Sequence, residues 1–243
     1  MTAPARTFPG HRRVRLGDAT GTARIRLDAL ARYLQDVATD DATDAGLADG
    51  WVLRRLALRI DEFPRFRDAV DLLTWCSGVA GSAAERCTTL HVDGRLAVDA
   101  VALWVFVGPD GRPARLDPER FAVYGTAATG RRIPTRLRHG DPPPEASARP
   151  WPLRAMDVDV LRHVNNAVSL AAVEDILRDL GADDAPVPWT VEVEYRAAID
   201  PGDAPDLVWA RDPGGALVGG LCCGGAVRTT FRVVLPGAPG VGP

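Results

Sequence analysis

Lysine is missing from this chain of 243 residues, and all 29 basic positions are arginine. Alongside abundant alanine, 24 glycines and 20 prolines, that bias reads as the codon usage of a GC-rich genome rather than a functional signal. No stretch approaches the roughly 20 unbroken apolar residues that a membrane helix needs. The start, Met1-Thr-Ala-Pro-Ala-Arg6, has no apolar run behind its charge, so a secretory signal is not expected and a cytoplasmic location is. A net charge of −3 gives no global reason to expect nucleic acid or a membrane surface as partner. Cysteine is scarce, and Cys76, Cys87, Cys222 and Cys223 lack the paired spacing of a zinc site. They read as small core or strand residues, and neither a metal nor a cofactor is expected.

What is present is a weak internal repeat. In the first half a strand-like run, Arg12–Leu16, leads to a turn at Gly17–Gly21. There follows a helical pattern in which Leu27, Leu30, Leu34, Val37 and Ala38 recur at three- and four-residue steps, with Gly46 as the stop. Strand-like segments come next, near 51–60, 69–77, 83–92 and 97–107, separated by hairpin turns such as Asp93-Gly94. The second half repeats this order. It has a strand near Trp151–Met156, an acidic turn at Asp157, a helix from about Asn166 to Leu180 closed by Gly181, and strands near 189–197, 206–211 and 217–235. Asp18 precedes Trp51 by 33 positions and Asp157 precedes Trp189 by 32.

The segment Thr126–Pro150 carries five prolines, including Pro142-Pro-Pro144, which disfavours regular structure. The expected organisation is therefore one domain over 1–125, a Pro/Arg-rich linker over 126–149 and a second domain over 150–243. A helix followed by a run of antiparallel strands needs a sheet that curls around the helix and buries its apolar face. The expectation is thus an α+β fold in two tandem copies.

Chemistry concentrates in Asp157-Val-Asp159-Val-Leu-Arg-His163-Val-Asn165-Asn166, where a strand gives way to a helix. Helix starts expose unpaired backbone N–H groups and a partial positive charge. A thioester carbonyl placed there would be polarised, and a nearby carboxylate would activate water or attack directly. Each residue also has a structural reading. Asn165 or Asn166 would serve as an N-cap, Asp157 as a turn residue, and His163 as a hydrogen-bonded structural histidine.

The pattern Asp-x-Asp-x-x-x-His-Val-Asn-Asn before an amphipathic helix resembles the signature of the hotdog thioesterases, and most closely the plant and bacterial fatty acyl-ACP thioesterases. The likeness extends to Leu30–Ala38, Ala45-Gly46-Leu47, Trp51–Arg54, Asp71–Trp75, Ala102–Val105, Gly111–Leu116 and Glu194-Tyr195-Arg196, in the family's order over most of residues 11–200. The resemblance implies two tandem hotdog domains forming a pseudo-dimer, and hydrolysis of a fatty acyl thioester on acyl carrier protein, or on CoA. It implies that the first domain houses the acyl chain and the second supplies the catalytic residues. By position, Asp159 is the catalytic carboxylate and His163 its partner in orienting or activating water.

This chain departs from the family at three places. Leu161 stands where the plant enzymes carry an Asn two residues before the His, and Ala198 and Ile199 stand where they carry a Glu-Cys pair. A mechanism that needs that Glu or Cys is excluded. Glu174, at the edge of the second helix's apolar face, is a candidate auxiliary carboxylate, with pairing to Arg178 as its structural alternative. Asp36, Asp40 and Asp41 on the first helix read as solvated, Asp41 lying closest to the apolar stripe. An acidic carrier protein calls for a locally basic docking surface. Arg131, Arg132, Arg136 and Arg138 form one candidate group, and Arg54, Arg55 and Arg59 another. Two other functions stay open, a hotdog protein that binds acyl thioesters without turnover and a hotdog dehydratase or hydratase. Association into a homodimer is left open as well.

Overall fold

The computed structural model describes residues 6–128 and 133–236, with the backbone alone at 126–128. Among these, the first half runs β1 (Phe8–Arg13), α1 (Leu27–Asp44), β2 (Trp51–Ile60), β3 (Ala69–Ala80), β4 (Ala83–Val92), β5 (Arg95–Phe106) and the short α2 (Pro118–Phe121). The second runs β6 (Ser147–Pro150), α3 (Val168–Asp179), β7 (Trp189–Tyr195), β8 (Asp206–Arg211), β9 (Leu217–Cys223) and β10 (Ala226–Val234). Each half is one long helix and an antiparallel sheet, which is the hotdog arrangement.

The two sheets join into one of ten strands, ordered β1-β3-β4-β5-β2-β7-β10-β9-β8-β6. The seam is the antiparallel pair β2–β7, in which Arg55 faces Glu194 and Ile60 faces Trp189. Along β7 the residues Trp189, Val191, Val193 and Tyr195 turn inward and are buried, the period-two pattern of a strand with one core face. Helices α1 and α3 pack on that face beside each other, and one apolar cluster runs through both halves, joining Leu30 and Leu58 to Leu170 and Ile176. Each such fully buried aliphatic contributes about 1.5–3 kcal/mol, so the shared cluster holds the two halves together.

Both helices end alike. Gly46 and Gly181 take φ of 69° and 65°, and the amides of Leu47 and Ala182 return to Ala42 and Leu177 at 2.7 Å. That is a glycine-closed C-terminus with the orphan carbonyls satisfied.

Several boundaries differ from expectation. The first strand lies at Phe8–Arg13 rather than Arg12–Leu16, because Leu16–Asp18 is spent in a 3-10 turn. No strand forms over 151–156. Pro150 and Pro152 cannot donate to a ladder, so pairing ends with β6 and the chain turns at Ala155–Asp157. The apolar run 217–235 is two strands, since Gly224 and Gly225 adopt φ of 55° and 81° and turn it back on itself. Helix α3 begins two residues later than expected.

The Pro/Arg-rich connection is not a free tether over its described part. Arg55, 5% exposed, donates to the carbonyls of Pro134 (3.0 Å) and Arg136 (3.4 Å). Glu194, fully buried, accepts the amides of Arg138 (2.6 Å) and His139 (3.0 Å). The segment therefore straps the outer face of the β2–β7 seam. This corrects the docking expectation for Arg55, which is spent inside, and for Arg54, half-buried and bonded to the Arg196 carbonyl. Arg59, Arg136 and Arg138 are exposed, while Arg131 and Arg132 lie outside the described residues.

Candidate active site

The loop before α3 is built by Asp157. Its carboxylate, 4% exposed, accepts the Arg154 backbone amide at 2.8 Å and the Arg154 guanidinium at 2.7 Å, and its carbonyl accepts the Asn165 amide at 2.8 Å. Asp157 is thus the clasp of the turn, the structural alternative of the two sequence readings. Val158 and Val164 pair across the loop, and the Asp159 amide donates to the His163 carbonyl at 2.9 Å. Arg162 supplies the left-handed residue that closes the hairpin, with φ 62°.

Asp159 sits at the base of this hairpin. One carboxylate oxygen accepts the Leu161 amide (2.9 Å) and the other the Asn165 side-chain amide (3.4 Å). Asn165 Oδ1 in turn accepts the Ala167 amide at 2.9 Å. Asn165 therefore ties the carboxylate to the first turn of α3 and caps from two residues upstream. Among the described residues the carboxylate is held by amides and not neutralised by a cation, and each oxygen keeps a lone pair for water.

The backbone N–H of Asn166 makes no hydrogen bond to the described residues, while its carbonyl accepts the Tyr195 hydroxyl at 3.1 Å. It is an unspent donor at a helix start, half-buried rather than bathed in solvent. His163 is brought to the same loop, but its ring is exposed and makes no hydrogen bond among the described residues. It does not line the cavity that Asp159 lines.

That cavity, of about 290 Å³, runs from Asp159, Val160 and Leu161 past Gln35 and Trp104 to Cys76 and Tyr124. Its far wall carries Arg86, whose guanidinium meets Asp41 at 2.6 Å and the Tyr124 hydroxyl at 3.3 Å. Asp41, 1% exposed, also takes Arg6 at 2.8 Å. Its expected solvation is therefore corrected, since two guanidiniums offset the burial of its charge. Burial pushes the Cys76 thiol up to about 11. A narrower slot of about 20 Å³ lies alongside, with Gln35, Arg86, Asn166 and Tyr195 in its walls.

Glu174 is placed elsewhere. One oxygen meets Arg24 at 2.5 Å and the other accepts the Leu27 amide at 2.8 Å, at the start of α1 rather than of α3. Arg178 pairs instead with Asp175. Of the positions where the family's Glu-Cys pair is missing, Ala198 is exposed, and Ile199 is buried in the core with its carbonyl holding the Val164 amide. Gln35, which lines both the cavity and the slot, is absent from the residues expected at the site. Its signal was the repeat itself, which sets Leu34-Gln35-Asp36-Val37 against Val173-Glu174-Asp175-Ile176.

A double hotdog with a carboxylate and an open helix N-terminus at the mouth of an apolar cavity defines the class, a hotdog-fold thioester hydrolase. The model of the acyl-ACP thioesterase N-terminal domain matches residues 6–124 and that of the acyl-ACP thioesterase C-terminal domain matches 141–213. This chain belongs to the acyl-ACP thioesterase family. An uncharacterized protein of Mycobacterium tuberculosis is 26% identical over 184 residues, covering 74% of this chain and 73% of its own. Among solved structures, a Lactobacillus plantarum protein described as an oleoyl thioesterase superposes with a TM-score of 0.83 at 21% identity, covering 95% of this chain and 96% of its own. The 12:0-ACP thioesterase of Umbellularia californica gives 0.78 at 18%, covering 94% and 96%. Both are similar in fold. No described helix is long and apolar enough to cross a membrane.

Proposed function

We propose that this enzyme hydrolyses a fatty acyl thioester on acyl carrier protein, with Asp159 as general base and the Asn166 N–H as oxyanion donor. The observation that carries the reading is the chain from the cavity wall to the helix start, in which Asp159 is bonded through Asn165 to the first turn of α3 beside an unspent amide. A water on Asp159 attacks the thioester carbon and its proton passes to the carboxylate. The carbonyl π pair moves onto the oxygen at the Asn166 N–H, a helix-start position that favours negative charge. Collapse of that oxyanion breaks the C–S bond, and the thiolate of the carrier's phosphopantetheine takes the proton that Asp159 holds, directly or by way of solvent, which restores the carboxylate. His163, exposed beside the loop with neither ring nitrogen bonded among the described residues, is the candidate to exchange that proton with solvent.

The cavity supports an acyl-chain site. Its volume of about 290 Å³ leaves room for an acyl chain beside Asp159. The acyl chain would enter past Leu161 and end against Cys76 and Tyr124 in the first half.

The test is hydrolysis of decanoyl- and dodecanoyl-ACP, and of the matching CoA esters, by the native enzyme and by Asp159→Asn. Loss of a general base lowers kcat on the order of 10²- to 10⁴-fold. Full activity in the variant removes Asp159 from its role. The absence of the family's Glu-Cys pair favours a second reading, a protein that binds the thioester without turnover. Tight acyl-ACP binding with no thiol release would select it. An assay with enoyl and 3-hydroxyacyl thioesters for a change in unsaturation separates the dehydratase alternative.

A further inference from the structure

The two halves repeat residue for residue around the site. Asp18 and Asp157 each accept the amide three residues upstream, from Arg15 at 3.0 Å and Arg154 at 2.8 Å. The bridges Ala19–Ile25 and Val158–Val164 occupy equivalent places, and the amides of Arg26 and Asn165 both donate to the carbonyl of their aspartate at 2.8 Å. The spacing throughout is 139 residues, and it persists into the helices. Every buried position of α3, from Val168 to Leu177, falls on a buried position of α1. On this register Thr20 replaces Asp159, Arg24 replaces His163 and Leu27 replaces Asn166, so the first half holds a second, disarmed copy of the site.

In that copy the helix-start donor is closed. The Leu27 N–H is taken by Glu174 Oε2 at 2.8 Å, a carboxylate reaching across from the opposite helix. The carboxylate oxygen sits on a helix-start amide, where an oxyanion would sit in a working site. The residue equivalent to Glu174 is Gln35, which reaches from α1 toward the start of α3. There the amide equivalent to Leu27 N–H is Asn166 N–H, and it makes no hydrogen bond to the described residues. The Gln35 side chain makes none either. Gln35 and Asn166 line the same narrow slot, and Gln35 and Asp159 line the same cavity. A neutral amide thus stands at the live site where a carboxylate stands at the disarmed one.

We propose that Gln35 is a catalytic residue, its Nε2–H donating to the thioester oxygen alongside the Asn166 N–H. This deepens the thioesterase reading and rests on it. A glutamate there would do what Glu174 does, accept the N–H and repel the developing charge. A glutamine leaves the donor free and adds a second one, which is what an oxygen gaining negative charge requires.

The experiment compares the native enzyme with Gln35→Met, which keeps length and packing, and Gln35→Glu, which copies the disarmed site. The readouts are steady-state hydrolysis of dodecanoyl-ACP and thermal melting. Gln35→Met is expected to lose on the order of 10²-fold in kcat with KM within about threefold and an unchanged melting temperature. Gln35→Glu is expected to lose more than Gln35→Met near neutral pH. A Gln35→Met variant within about threefold of native kcat overturns the proposal. Should the native enzyme release no thiol from any thioester, the thioesterase reading falls, and Gln35 is then judged by binding. The probe is a long-chain alkyl trifluoromethyl ketone, whose hydrated carbonyl mimics the oxyanion, followed by tryptophan fluorescence. Affinity at least about tenfold weaker in Gln35→Met supports the donor role, and unchanged affinity overturns it.

Discussion

Glu174 closes the amide of Leu27 at 2.8 Å and meets the guanidinium of Arg24 at 2.5 Å, so one carboxylate fastens the second helix onto the first. Arg24 is 5% exposed and stacks between Phe63 and Trp189, with its charge centre 4.7 and 5.1 Å from the two rings. Removing one partner of a buried pair leaves the other uncompensated. Glu174→Ala should therefore cost about 2–4 kcal/mol, read as a lower denaturant midpoint at unchanged slope. Glu174→Gln keeps an acceptor for the Leu27 amide and should cost less. A midpoint for Glu174→Ala equal to native would show that the Arg24 contacts with the Asp183 carbonyl suffice alone.

The tip of the loop before α3 exposes apolar surface. Val160 is 97% exposed and Leu161 70%, and both border the cavity that Asp159 opens into. Covering such side chains with an acyl chain contributes affinity in proportion to the area removed from water. The double substitution Val160→Ser with Leu161→Ser should raise KM for dodecanoyl-ACP on the order of tenfold, about 1.4 kcal/mol, with kcat and melting temperature little changed. That pattern marks binding lost equally from ground and transition states. A fall in kcat at constant KM would instead place the tip in the chemical step.

The fold was legible because its signals are local. The helix at Leu27 and the strands at 51–60, 83–92 and 206–211 follow from periodicity, and the closing glycines 46 and 181 mark helix ends by their left-handed backbone. The loop at Asp157 was legible as a cluster, with Asp157 open to a turn role and Asp159 singled out by the resemblance; in the fold Asp157 is the clasp and Asp159 faces the cavity. What stayed hidden depends on the pairing of distant segments. Nothing near Glu174 in the chain shows that it meets Arg24, 150 positions away. Arg55 and Glu194 look like ordinary alternating charges until the strap covers them. Asp41 reads as solvated until Arg6, from the segment before β1, and Arg86, on β4, close on it. Gln35 was within reach, because the repeat aligns it with Glu174, but a neutral amide on a helix carries no signal unless the two halves are laid over each other.

The strap over the seam should loosen in acid. Glu192 on the outer face of β7 has its carboxyl held below the ordinary value of 4.5, chiefly by the hydrogen bond to His139, against the opposing effect of burial; Arg55 and Arg138 add to the lowering. The His139–Glu192 contact measures 3.2 Å. A carboxyl lowered on folding adds stability that is fully present above its unfolded value and is lost as pH falls through the folded one. The stability difference between native enzyme and Glu192→Gln should therefore be positive near pH 5.5, where Glu192 is ionised, and shrink toward zero as pH falls below about 4. Chemical denaturation of both proteins at a series of pH values measures this. A difference that is constant down to pH 3, or that grows on acidification, would show that Glu192 does not bind the strap through its charge.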